Sequence, residues 1–509
     1  MPKAASTAKA NARGQETGNV RIVLAYLVLA FAAQLILLLP GSQLFRMPLR
    51  IGPFMASLAL VFFPRRRIPG LRLTSAVVPA VFVLVIVAFG FLNGGTESLI
   101  SAIATLAFYA AILSPLVWVG RLQISERGFV GIILALWIFN TMSCAVGVLQ
   151  VMYPGRFIPT TSLLVQQAQE EGRAPQKIDL ASGQSIERPY GLTDQPGGVA
   201  SNGTFAFMFG LGLLSTSRKL WLTALYAAGM AAGIFIIYIC EVRVALVVSA
   251  IMAVAYLSLL FIRGQFARGT RVLVALAMVG LGSTISAMVI GGSEIRDRAM
   301  TLFESDFGTV YYGNRGAFLE NAFYYALPQW PMGAGLGRYG MIATYFTTGG
   351  AFSANALWAE IQWQAWVYDG GWLMVLTYPI AILLALWMTL RVAIDRRAGD
   401  MSTWATIMAS YNVAAIAITF SYSFFLSQSG LEFWLLNALL YSAYQFERHL
   451  SKVHVPAGFE AAPASWKPVA RSRAFSGKTP DRPQAVRRPL SGLLPQVQPI
   501  IEADDGISD

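Results

Sequence analysis

Apolar runs of about 17–25 residues recur along this sequence, and each is long enough to cross a hydrocarbon core of roughly 30 Å as a helix. A backbone in lipid must satisfy its hydrogen bonds internally, which leaves helices or closed barrels, and runs of this length argue for helices. The composition agrees: 56% of the 509 residues are hydrophobic and 13% are charged, where a soluble domain carries about 25% charged residues. The runs predict spans at residues 21–39, 49–63, 73–92, 97–119, 128–151, 198–214, 220–240, 244–262, 272–290, 372–390, 403–421 and 432–446. The expected fold is therefore an all-α polytopic membrane protein of about twelve transmembrane helices, occupying residues 21–446.

The arginines and lysines set an expected orientation, because cytoplasmic loops retain them. Alternate short loops hold Arg65, Arg66, Arg67, Arg72, Arg121, Arg127, Arg218, Lys219, Arg263, Arg268, Arg271, Arg391, Arg396 and Arg397, whereas the loops opposite hold little beyond Arg46, Arg50 and Arg243. Both termini are thus expected in the cytoplasm, with loops 152–197 and 291–371 outside it. The net charge of +12 is explained by this retention and does not call for nucleic acid. A short basic segment, residues 1–20, precedes the first span and is expected to be irregular. A Pro-, Arg-, Ala- and Ser-rich tail, residues 447–509, follows the last and reads as disordered. Cys144 and Cys240 give neither a disulfide framework nor a thiolate metal site, and His449 and His454 both follow the last span, so no metal or other cofactor is expected.

The outer loops carry the candidate chemistry. Arg188 lies in ERPYGLTDQPGG, Arg243 closes the turn that begins at Cys240, and Arg315 follows Gly313-Asn314. Arg296, Arg298 and Arg338 add to them. Guanidinium forks match phosphate oxygens, although each arginine can equally be a salt-bridged loop residue, with Glu241 the natural partner for Arg243. The run Pro331-Met-Gly-Ala-Gly-Leu-Gly-Arg-Tyr-Gly340 is glycine-dense enough either to cradle an anion on its amides or simply to turn. Trp330, Trp358, Trp363, Trp366 and Trp372 supply flat faces for sugar stacking or an interfacial belt. The stretch from Ala354 to Asp369 reads as one helix, with Glu360, Trp363, Gln364 and Val367 on one face and Asn355, Gln362, Trp366 and Asp369 on the other. Glu360 and Asp369 are the candidate general bases, each of which can instead cap a helix or pair with an arginine.

From Arg188 to Gly371 the chain resembles the O-antigen ligase and Wzy-type polysaccharide polymerase family. The resemblance rests on Arg188-Pro-Tyr-Gly191 with Pro196-Gly before a span, Arg243-Val-Ala-Leu opening a span, Asn314-Arg315 before a helix, Pro331-Met-Gly-Ala-Gly335, and an acid before Gly370-Gly371. It implies a GT-C-like glycosyltransferase of the bacterial inner membrane that uses an undecaprenyl-diphosphate-linked oligosaccharide, without metal or nucleotide sugar. Its implied partners are the bilayer and other polysaccharide export proteins. Arg188, Arg243 and Arg315 would contact the diphosphate, Arg338 would assist, and Trp358 and Trp363 would contact sugar. Ligases of the family carry a histidine before the glycine-containing span entry; Ala354-Asn355 or Glu360 stands there in this sequence, which favours a polymerase of a surface or exopolysaccharide. A ligase acting on lipid A core is the alternative, and a twelve-span flippase or sugar exporter is the alternative of a different class.

Overall fold

The structure, a computed structural model, describes residues 2–63, 73–157, 177–179, 185–195, 197–304, 308, 311–347 and 356–453. Arg65, Arg66, Arg67, Arg72, Pro196, Ala354, Asn355 and the tail from residue 454 lie outside the described residues, as do the side chains of Arg296, Arg298 and Asn314.

The described chain is built from helices: α1 (Pro2–Ile36), α2 (Arg46–Val61), α3 (Val77–Phe89), α4 (Leu99–Leu113), α5 (Glu126–Met152), α6 (Val199–Thr216), α7 (Leu220–Ile239), α8 (Arg243–Ile262), α9 (Phe266–Glu304), α10 (Gln362–Ile394), α11 (Met401–Ile418) and α12 (Gln428–Val453). Among the described residues the only paired strands are β1 (Lys177–Asp179) and β2 (Ser185–Glu187), antiparallel with Ile178 opposite Ile186. The N-terminal segment expected to be irregular is helical from Pro2, continuous with the first span; its alanine, lysine and glutamine content favours that conformation.

Nine described helices are long and apolar enough to cross a membrane: in α1, in α4 with the helical turns that continue it to Arg121, in α5 through α8, in the first part of α9, and in α10 and α11. The second, third and last expected spans form helices that fall short of this measure. The 16 residues of α2 and the 13 of α3 are too few for the roughly 20 that a perpendicular crossing takes. The third, α12, is long enough but is punctuated by Gln428, Glu432, Asn437, Ser442 and Gln445. Its polar groups find partners inside the bundle. Asn437 exchanges two hydrogen bonds with Asn412 of α11, at 2.8 and 3.0 Å, and Ser442 donates to the Leu122 carbonyl. Phe433, Trp434, Leu435, Leu436 and Leu439 of α12 are fully buried. By contrast Leu273, Met278, Leu281, Ile285 and Val289 of α9 are exposed, which only lipid makes inexpensive. Enclosure alone does not decide the apolar count, since α6 and α11 meet it although most of each is buried; α12 misses it because its polar residues are paired within the bundle.

Helices α6 and α7 cross where Gly203 meets Gly233. A Cβ on either would lie 2.7 Å from the other's carbonyl oxygen, the close approach that small residues permit between membrane helices. This crossing holds the start of α6 against the centre of the bundle, beside the loop that carries Arg188 and Asp194.

Candidate functional site

The stretch from Leu357 to Ile361 is not the helix expected from its sequence; α10 begins at Gln362. Tertiary hydrogen bonds hold the preceding residues extended: Leu357 N donates to the Arg338 carbonyl at 2.7 Å, and Gln364 Oε1 accepts from Glu360 N at 3.0 Å. Such bonds outweigh a weak local helix propensity. Glu360 and Asp369 consequently sit in unlike surroundings rather than on two faces of one helix.

Asp369 ends the first limb of α10, which bends at Gly371 (φ 56°, ψ −140°). A Cβ on Gly371 would lie 2.0 Å from the Pro331 carbonyl oxygen, which instead accepts from Trp372 N at 3.0 Å. The glycine-dense run docks against this bend. Ala334 N donates to the Tyr368 carbonyl at 2.8 Å, Leu336 N to Thr96 Oγ1 at 3.2 Å, and Gly333 N to the Trp330 carbonyl at 3.0 Å. At Gly335 (φ 104°) a Cβ would lie 2.1 Å from the Gly95 carbonyl carbon. These amides are committed to protein acceptors, so the run is a packing device and not the anion cradle that its glycines also suggested. What it positions is Tyr339.

The Asp369 carboxylate is buried, and one of its oxygens accepts from two phenols: Tyr109 of α4 at 2.6 Å, and Tyr339 at a short contact. Burial, and then the adjacent carboxylate, raise the Tyr339 hydroxyl well above its usual range, so it stays protonated and donating. Asp369 faces a cavity of about 600 Å3, bounded by α1, α2, α4, α5, the start of α6, residues 337–345 and the start of α12. Arg50 and Asp194 line another part of the wall. Asp194 accepts at one oxygen from Arg46 (2.7 Å) and Arg50 (2.6 Å), and Arg50 also donates to the Tyr345 hydroxyl at 3.3 Å. Glu432, Asn140 and Asn202 complete the polar lining used here. With Asp194 already paired by Arg46 and Arg50, the acids Asp369 and Glu432 remain on the wall, and such a lining suits an uncharged, hydroxyl-rich ligand better than an anion.

Of the residues proposed from sequence, Asp369 alone lines this cavity. Arg188 pairs with Glu241 at 3.2 Å, tying the loop before α6 to the turn between α7 and α8. Glu241 therefore serves Arg188 rather than Arg243, and it adopts the left-handed conformation (φ 54°) to do so. Arg188 stays close to the cavity rim: a Cβ on Gly197 would lie 3.6 Å from its Cδ, and the next residue, Gly198, lines the cavity. Arg243 opens α8, its backbone N donates to the Glu241 carbonyl at 3.1 Å, and its side chain makes no hydrogen bond or ion pair among the described residues. Arg315 lies in a π turn, Tyr312–Gly316, and forms an ion pair with Glu360, which also accepts from Trp358 Nε1 at 2.9 Å. Arg338 donates to the Ala334 carbonyl at 2.9 Å and lies 6.0 Å from the centre of the Trp330 ring. Trp358 is exposed, whereas Trp363 is half-buried and packs among Phe323, Trp366 and Phe420.

Arg50, Tyr109, Tyr339, Asn140, Asn202 and Glu432 are members of the site that sequence reasoning passed over. Arg46 and Arg50 did carry a signal, being two arginines one helical turn apart on the side of the membrane where arginine is scarce. The two tyrosines carry none until tertiary structure brings them to Asp369. Among the described residues no group of three or more His, Cys, Asp or Glu is placed to hold a metal ion, and both thiols are free and buried. In sequence, no protein-family model matches the chain, and no curated protein matches it.

Proposed function

We propose that this protein is a membrane-embedded glycosyltransferase, and specifically a polysaccharide polymerase. It would transfer glycan from an undecaprenyl diphosphate onto a lipid-linked repeat unit at the outer face of a bacterial inner membrane. The observation that supports this reading is the Asp369 carboxylate, buried at the wall of a sugar-sized cavity and oriented by two tyrosine hydroxyls. The cavity takes the acceptor sugar, with Asp369 as general base on its attacking hydroxyl. Tyr109 and Tyr339 fix the carboxylate in place. The donor's diphosphate would be repelled by the acids of the cavity and would lie toward Arg188 near its rim and toward Arg243, whose side chain has donors to spare. Neutralising the leaving diphosphate is the largest electrostatic contribution available to such a transfer.

The test is deletion and complementation in the source cell, with glycans resolved by size. Asp369→Asn and Arg243→Ala at matched expression should leave single repeat units at the outer face and no long polymer. Polymer of normal length from Asp369→Asn would refute the assignment of the base. A transporter remains the second reading, supported by Asp369 and Glu432 facing one cavity from within helices, as ionisable residues on a translocation path do. It predicts repeat units trapped on the inner leaflet.

A further inference from the structure

A second cavity, of about 560 Å3, lies at the other end of α6. Ser201 and Asn202 of that helix line the first cavity and Ser215 and Thr216 line this one, roughly 21 Å apart at 1.5 Å per residue. Its remaining wall comes from Ser217, Arg218 and Leu220 at the start of α7, Arg268 and Arg271 in the opening turns of α9, and Asp400 just before α11. Three guanidinium groups thus face one carboxylate, a surplus of two positive charges.

The arginines differ in what they already hold. Arg268 donates to Thr403 Oγ1 at 2.6 Å and to Gln265 Oε1 at 3.1 Å, and the neighbouring Arg263 donates to Ser402 and Thr406. Those bonds fasten α8 and α9 to α11. The side chains of Arg218 and Arg271 make no hydrogen bond or ion pair among the described residues. Two helices also begin here without a side-chain cap: α7 after Lys219 and α11 after Asp400. The positive end of α7, preceded by Arg218-Lys219 with no acid in its first turn, is unfavourable until an anion is present.

We infer that this cavity binds a phosphate group, held by Arg218 and Arg271. The surroundings assign it to the headgroup of an anionic lipid. Leu220, Trp221, Ile262 and Phe266 are exposed around the arginines, so apolar surface for acyl chains adjoins the charge, and a tryptophan marks the interface. Basic pockets between helices at the arginine-rich end of a membrane protein recognise lipids in this way. The site is independent of the reaction proposed for Asp369.

The experiment uses the purified full chain in a neutral detergent. Its thermal unfolding midpoint is followed against dioleoylphosphatidylglycerol, dioleoylphosphatidylcholine and inorganic phosphate, for the wild type and for the double variant Arg218→Gln, Arg271→Gln. Phosphatidylglycerol should raise the wild-type midpoint saturably and phosphatidylcholine should not, while the double variant should need at least about tenfold more phosphatidylglycerol, in keeping with the loss of two charge-assisted contacts. A response to inorganic phosphate as large as that to the lipid, and lost in the variant, would support the site while assigning it to free phosphate. An equal response of wild type and variant to phosphatidylglycerol, or no response to either phosphate source, would overturn the inference. Should the double variant unfold without lipid, Asp400→Asn provides the second reading. Removing the one opposing charge should tighten lipid binding several-fold, and unchanged or weaker binding would equally overturn it.

Discussion

Asp194 anchors α2 to the loop before α6, and its replacement offers a test that needs no knowledge of substrate. One carboxylate oxygen accepts from both Arg46 and Arg50, and the three side chains are 8%, 17% and 14% exposed for Arg46, Arg50 and Asp194. An exposed ion pair contributes at most about 1 kcal/mol, whereas removing one partner of a buried pair costs about 3–5 kcal/mol because the other charge stays behind. The low exposure places this group near the second case, with two guanidiniums left facing each other, so Asp194→Asn should cost about 3 kcal/mol. Burial alone would raise the Asp194 pKa, but Arg50 and Arg46 outweigh it and hold the carboxyl below its ordinary 3.8. A depressed folded pKa means the stabilisation is fully present above that ordinary value and is lost as pH falls through the folded one. Thermal unfolding in detergent should therefore show the variant several degrees below wild type at neutral pH, with the gap closing as the medium is acidified below the carboxylate range. Equal midpoints at neutral pH, or a gap that acid leaves untouched, would refute the reasoning.

Gly371→Ala should destabilise the chain by about 2–4 kcal/mol, since it combines a strained backbone costing about 1–3 kcal/mol with displacement of the Pro331 carbonyl; the unfolding midpoint and proteolysis of the 331–346 segment would report it. Glu360→Gln should alter stability by no more than about 1 kcal/mol, because the Arg315–Glu360 pair is a third exposed at the arginine and a quarter at the acid, and glycan chain length in complemented cells should stay normal. Loss of polymer in that variant would return the base role to Glu360. Arg188→Ala should cost about 3 kcal/mol, as it takes the guanidinium from a Glu241 side chain that is 1% exposed; a midpoint within a degree of wild type would contradict it.

Helix class and most helix positions were legible because lipid imposes a length and a composition on whatever crosses it. The spans expected at 49–63, 73–92 and 432–446 are also helices, but α2 and α3 are shorter than a perpendicular crossing takes, and in α12 the Asn412–Asn437 exchange admits polar residues. Within the site, Asp369 was legible as an acid beside a paired glycine. Its partners were not, because Tyr109 is 260 residues away in sequence and nothing local distinguishes it from a core tyrosine. The helix expected over 354–369 is present from Gln362 onward, and Leu357 and Glu360 before it are held instead by hydrogen bonds to the Arg338 carbonyl and the Gln364 side chain. The outer arginines were grouped by charge and by the family resemblance, with a salt-bridged role left open for each, and Arg188 and Arg315 do each hold a carboxylate.

The bend at Gly371 also settles a question of depth. Of the 33 residues of α10, the limb from Trp372 to Ile394 measures roughly 34 Å at 1.5 Å per residue, enough by itself to traverse a hydrocarbon slab of about 30 Å. The limb before it is surplus to that crossing. Trp372, half exposed at the first turn beyond the bend, is the residue type that sits at a headgroup boundary. If Trp372 marks that boundary, Asp369, three residues before it, stands level with the headgroups, the depth at which the lipid-linked substrate proposed above would present its polar end.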